Sequence, residues 1–132
     1  MESTEKKIVP DTIFAALANQ QAYLDTLPAI RGEGVAALRR LVTVAQGSSG
    51  QCGYVAAFLL GLYNGSRFPF NLNDLRCLDL SLFRDCMAVL AMDFTPAVEV
   101  HTYIENGSEV FEKLARDWNL PQYQRVKANT NL

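Results

Sequence analysis

Apolar residues recur at helical spacing along most of this chain, and the clearest stripe lies in its middle. Val55, Phe58, Leu59, Leu62 and Tyr63 fall at i, i+3, i+4, i+7 and i+8, the pattern of one buried helix face. Gln46-Gly47-Ser48-Ser49-Gly50 precedes this run and offers N-cap hydroxyls, and Asn64-Gly65 ends it. Upstream, Val35, Leu38, Leu41, Val42 and Ala45 form a second stripe, with Arg39, Arg40 and Thr43 on the other face. Arg31-Gly32-Glu33-Gly34 reads as a break before it. An earlier helix over 11–26 opens at Pro10-Asp11-Thr12 and carries Ile13, Ala16, Leu17 and Leu24. It ends before Pro28, because a residue preceding proline is pushed out of the α region.

Downstream of an aromatic corner at Tyr63, Phe68, Pro69 and Phe70, Asn71 precedes a short apolar turn with Asp74 three residues on, the signature of an N-cap with a first-turn acid. Asp79 caps a longer helix, with Leu82, Phe83, Cys86, Val89 and Leu90 on one side and an end near Asp93. Residues 98–104 alternate like a strand, yet Val100, Tyr103, Ile104, Gly107, Phe111 and Leu114 also keep helical spacing. Helix is preferred, because Thr95-Pro96 suits an N-cap and N1 pair and a lone strand would leave its backbone groups unpaired. A break is expected at Asn106-Gly107, after which Ser108 caps a last helix from Glu109 to Trp118. The fold expected is all-α: a single compact domain of five to six short helices over 10–118, between a polar leader at 1–9 and a polar tail at 119–132.

With 132 residues, 49% hydrophobic and 20% charged, the chain is long and apolar enough to bury a core unaided. Its net charge of −2 supplies no global field for phosphates, which argues against nucleic acid as a partner. Cys52, Cys77 and Cys86 are odd in number and lack CxxC spacing, so they read as reduced thiols in a cytoplasmic protein. The longest apolar run, 55–62, is far shorter than a bilayer span, and the first residues show no signal-peptide core. No membrane association is expected.

Candidate chemistry is sparse. Cys52 falls at the expected N-terminus of the central helix, where free N–H groups favour a thiolate, and with His101 and Asn106 it would compose a Cys, His, Asn order. That order is superficially like a papain-like peptidase, but Cys52-Gly53-Tyr54 lacks that family's second cysteine and tryptophan, so a structural thiol is favoured over a nucleophile. His101 is the one histidine and has no partner at metal-ligand spacing, so neither metal nor cofactor is expected. Gly47-Ser48-Ser49-Gly50 lacks the Lys-Ser/Thr ending of a phosphate loop. Arg39 and Arg40, with Arg31, offer a small basic patch without interleaved aromatics. Tyr63, Phe68 and Phe70 either plug the core, which is favoured, or form a contact surface.

The text of the middle region, Ala45-Gln46-Gly47, Gly50-Gln51, Val55-Ala56-Ala57-Phe58-Leu59-Leu60, Leu62-Tyr63-Asn64-Gly65, Phe68-Pro69-Phe70, Leu75-Arg76, Leu78-Asp79, Leu82-Phe83 and Glu99-Val100-His101, resembles an uncharacterised bacterial family. This proteobacterial domain of unknown function is met in genomes and on plasmids and integrated mobile elements. The resemblance covers roughly 35–118 and implies an accessory setting without implying catalytic residues. The function expected is that of a non-catalytic interaction or accessory protein with a protein partner. The alternatives are a hydrolase or transferase using Cys52, and a nucleic-acid-associated protein using Arg31, Arg39 and Arg40. A two-fold dimer is also open, through the first helix or the aromatic corner.

Overall fold

The computed structural model describes residues 2–120, with side chains from Asp11 onward. It comprises α1 (Glu2–Ala45), α2 (Gly50–Tyr63), a 3₁₀ segment (Leu72–Cys77), α3 (Leu80–Phe94), a second 3₁₀ segment (Val100–Tyr103) and α4 (Gly107–Trp118). Among the described residues there is no strand. The fold is all-α, and residues 121–132 of the expected tail lie outside the described residues.

The sequence rules split the first 45 residues into two helices, and the structure joins them. α1 is one helix of 44 residues, about 66 Å long at 1.5 Å per residue. Pro28 lacks the N–H that would bond the carbonyl of Leu24, but both residues face solvent, where water can take that carbonyl. The proline costs about 3 kcal/mol and each glycine about 1. Against this stands the burial of Leu27, Leu38, Leu41 and Val42, each about 1.5–3 kcal/mol. No glycine in the described chain takes a positive φ, so Gly32 and Gly34 do not act as left-handed stops. Gly34 is a contact point: α3 lies against it so closely that a Cβ there would come within 2.5 Å of Met92 Cβ.

α3 runs antiparallel to α1. Arg40 pairs with Asp85, while Arg31, two and a half turns earlier on α1, reaches the carbonyl of Thr95 just past the end of α3. Asp79 caps α3 as its sequence suggests, accepting from the N–H of Leu82 and the hydroxyl of Ser81, and its own N–H donates to Gln51 Oε1 on α2. Asn71 caps the first 3₁₀ segment through the N–H of Asn73.

α2 is apolar nearly all round and is accordingly the central helix. Cys52, Val55, Ala56, Phe58, Leu59 and Leu60 are buried, against α1 on one side and α4 on the other. Trp118, at the end of α4, donates its indole N–H to the carbonyl of Ala45, satisfying an orphan group at the end of α1. The same ring lies where a side chain at Gly53 of α2 would need to go.

Three local expectations change. Ser49 is the residue before α2, but its hydroxyl caps no backbone N–H and instead sits 3.1 Å from Cys52 Sγ. The ambiguous stretch at 98–104 contributes only the 3₁₀ segment Val100–Tyr103, because the chain must fold back onto the start of α4. There the carbonyl oxygen of His101 occupies the place a Cβ on Gly107 would need, so α4 begins at Gly107 behind a left-handed Asn106 (φ 54°) rather than at a Ser108 cap.

Candidate functional site

The chemistry-bearing residues divide between the two ends of α2. Tyr63, at its C-terminal end, donates its hydroxyl to Glu112 Oε2 at 2.6 Å, and Arg67 grips the same carboxylate with both terminal nitrogens, at 2.6 and 3.0 Å. α2 presents the phenol, the turn after Asn64 presents the guanidinium and α4 presents the acid. Asn64 holds that turn by accepting the N–H of Arg67 on its side chain and the N–H of Phe68 on its carbonyl. Arg67 also lies over the Phe68 ring, 4.7 Å from its centroid.

This arrangement fixes the protonation of its members. The Arg67 hydrogen bonds, and after them the Tyr63 hydroxyl, hold the Glu112 carboxyl down at about 2. The bond to Glu112 pushes the Tyr63 phenol up. At neutral pH Glu112 is therefore a spent carboxylate and Tyr63 a protonated donor, which is the state of a clamp rather than of an acid and base awaiting substrate. The His101 ring stands edge-on to Tyr63, with centroids 5.0 Å apart, and also meets Phe111; its Nδ1 is buried and makes no hydrogen bond among the described residues.

Cys52 occupies the opposite end. It is buried in the first turn of α2, against Ser49 and Gly47. Eleven residues of helix separate it from Tyr63 and the His101 ring, about 16 Å along the axis. Asn106 stays with His101, at the turn into α4. The structure thus brings His101 and Asn106 to one corner and leaves Cys52 at the other end of the helix, without the adjacent base that nucleophilic activation needs.

The aromatic corner turns inward. Phe68 is buried, Tyr63 and Phe70 are half-buried, and Phe70 meets Phe58 edge to face with centroids 5.7 Å apart. The arginines disperse as well. Arg40 forms two bonds to Asp85, Arg31 caps α3, and Arg39 is exposed on α1. Three of the open clefts among the described residues hold about 160, 220 and 240 Å³, below the usual size of a small-molecule site. No cluster of three or more potential metal ligands occurs among the described residues, and none of their helices is long and apolar enough to cross a membrane.

Among the described residues, the largest group of exposed apolar side chains on one element is on α1, while Leu72, Leu80 and Phe94 stand exposed elsewhere. From residue 11 to residue 22 every side chain is exposed, and the helix first touches the body at Tyr23, whose hydroxyl meets that of Thr95 at 2.7 Å. Ile13, Phe14, Leu17 and Leu24 are 52%, 66%, 56% and 42% exposed, although the sequence pattern reads Ile13, Leu17 and Leu24 as a core-facing stripe. Their periodicity is real; the body that should cover them ends at α3. Nothing in the apolar spacing alone distinguishes a stripe covered by its own chain from one left open.

A small helical body closed by polar clamps, with one helix projecting from it, is the class of protein the geometry defines. Its family is shown by the match of residues 35–119 to the model of DUF7673, a family of unknown function: the chain belongs to that family. No curated protein and no solved structure matches it. The matched segment begins at Val35, so the projecting arm lies outside it.

Proposed function

We propose that this protein is a non-catalytic accessory protein that works by contact with another protein, using the apolar face of the α1 arm. The observation that carries this reading is the unequal fate of its side chains. Tyr63, Arg67 and Glu112 are consumed within the body by mutual pairing and Cys52 is held apart from His101 by the length of α2, while four of the large apolar side chains that stand in solvent lie together on α1. Exposed apolar surface gathered on one element marks an interaction site. The setting that fits the resemblance is the bacterial cytoplasm and the accessory functions of a mobile element. Cys52, Cys77 and Cys86, all free thiols, support a reducing compartment. A net charge of −2 and the engagement of Arg40 by Asp85 count against nucleic acid as the partner.

The test is affinity capture from cells that naturally produce the protein, with the intact chain, the double variant Ile13→Asp/Leu17→Asp, and Cys52→Ser as bait. The expected outcome is a captured protein that the arm variant loses and Cys52→Ser keeps. Capture indifferent to the arm, or an enzymatic activity abolished by Cys52→Ser, overturns the reading.

A further inference from the structure

Past Trp118 the chain leaves α4 by a turn that sets its direction. Asn119 takes a left-handed conformation (φ 48°) and returns its N–H to the carbonyl of Arg116, the stop that ends many helices. Pro121 follows two residues later, and a proline disfavours the α region for the residue before it, so Leu120 carries the chain off the helix axis. Leu120 is half-buried against the core and borders a cleft between α2 and the aromatic corner. Ala57, Phe68, Pro69 and Phe70 line that cleft on its apolar side, and Asp74 brings a carboxylate to it.

Two properties of the cleft restrict what fills it. Its volume of about 240 Å³ exceeds the roughly 150 Å³ that admits a benzene ring, so it takes one aromatic side chain and no folded element. Asp74 is half-buried, and among the described residues its carboxylate meets no cation and accepts no hydrogen bond. A ring with a cation a short way beyond it is what these walls fit. The sequence after Leu120 reads Pro-Gln-Tyr-Gln-Arg-Val-Lys, with Tyr123 as the ring, Arg125 and Lys127 as cations, and no acidic side chain through residue 132. Tyr123 and Arg125 are two apart and so share one side of an extended chain, with Gln122 and Gln124 on the other. Three extended residues span about 10 Å and five about 17 Å, which brings both within reach of a cleft that Leu120 itself borders.

Tethering decides between this segment and a free ligand. Only Pro121 and Gln122 separate Leu120 from Tyr123, and a linker that short holds the ring at an effective concentration in the millimolar range. A contact too weak to form between separate molecules is therefore populated within one chain. We infer that residues 121–125 seat in the cleft, Tyr123 against Pro69 and Phe70 and the Arg125 guanidinium on Asp74, as a strap that ties the end of α4 to the aromatic corner. The strap lies outside the segment matched to the family model, which ends at residue 119.

The experiment is nuclear magnetic resonance of the full chain. The expected result is cross-relaxation between the Tyr123 ring protons and the side chains of Pro69 and Phe70, unchanged on dilution. Asp74→Lys weakens the docked state about fivefold, since an attraction at a partly exposed pair becomes a repulsion, and the contacts fade. Arg125→Glu in that background restores them. Arg125→Gln alone, which leaves the sequence of the body untouched, fades them as well and decides the matter should Asp74→Lys disturb its 3₁₀ segment. Asp25→Lys, an equal change of charge on the exposed part of α1, leaves them intact. Trp118 near-ultraviolet dichroism, equal in every variant, shows that the body is folded. Tyr123 signals at the positions of an unstructured peptide, contacts indifferent to both Asp74→Lys and Arg125→Gln, or contacts found only between labelled and unlabelled chains in a mixture overturn the inference.

Discussion

Gly34 of α1 and Met92 of α3 stand so close that the space a methyl group would take on the one is filled by Cβ and Sδ of the other. The two helices pack at that point because one of them has no side chain. Gly34→Ala improves helix propensity by about 1 kcal/mol in an isolated helix, but here it forces apart a packed pair at a typical cost of 1–3 kcal/mol. The net expectation is destabilisation by up to about 2 kcal/mol in urea unfolding. Gly32→Ala, with nothing near its would-be Cβ, is expected to stabilise and serves as the paired control.

Gly107 is under a harder constraint, since the obstacle is the backbone carbonyl of His101 rather than a side chain. Gly107→Ala must therefore separate the second 3₁₀ segment from α4, and a loss of about 2–4 kcal/mol is expected, among the larger effects of single substitutions. Thermal unfolding followed by circular dichroism checks it.

The clamp around Glu112 makes stability depend on acidity in a defined direction. Its carboxyl is held at about 2 in the folded chain against an ordinary 4.5, so the contribution is fully present above about 4.5 and is lost as pH falls toward 2. Glu112 is a third exposed, and solvent screening keeps the effect near 1 kcal/mol. Glu112→Gln is expected to lower stability by about that amount at pH 7 and to converge on the parent protein near pH 2. Unfolding curves at stepped pH would show the convergence, and parallel curves would refute the clamp.

The three thiols should separate kinetically. Cys77 is exposed, whereas Cys52 and Cys86 are buried, and burial pushes the Cys86 thiol up to about 12. A thiol-reactive probe at pH 8 is expected to label Cys77 first and the other two only as the chain opens. Rapid labelling of Cys52 in the folded protein would point to a reactive thiol.

Much of this architecture is legible in the residues. Asn71 and Asp79 announce the starts of their elements, because their short acceptors suit orphan N–H groups and little else at those places. The apolar run of α2 and the stripe of α3 give their helices directly. What local rules misjudge is α1. Pro28, Gly32 and Gly34 each carry a real cost, but the rules count that cost without the gain from packing Leu38 and Leu41, which depends on α3 some fifty residues away. The candidate site fails for a related reason. Sequence order sets Cys52, His101 and Asn106 in a suggestive row, yet a row says nothing of which end of α2 the chain returns to, and His101 returns to the far one. Tyr63, Arg67 and Glu112 come from three elements and leave no signal at fixed spacing, so their clamp is visible only once the chain is folded.

α1 also joins two regions mechanically. Leu38 and Leu41 anchor one half of the rod in the body, and residues 11–22, about 18 Å of helix, stand in solvent as a boom. A tilt of about 5° at its root would carry residue 11 roughly 1.5 Å sideways by simple leverage over that length. The root is Tyr23, bonded to the Thr95 hydroxyl, where the rod meets the body. Whatever grips the boom thereby sets the bearing of the entire body through a single joint.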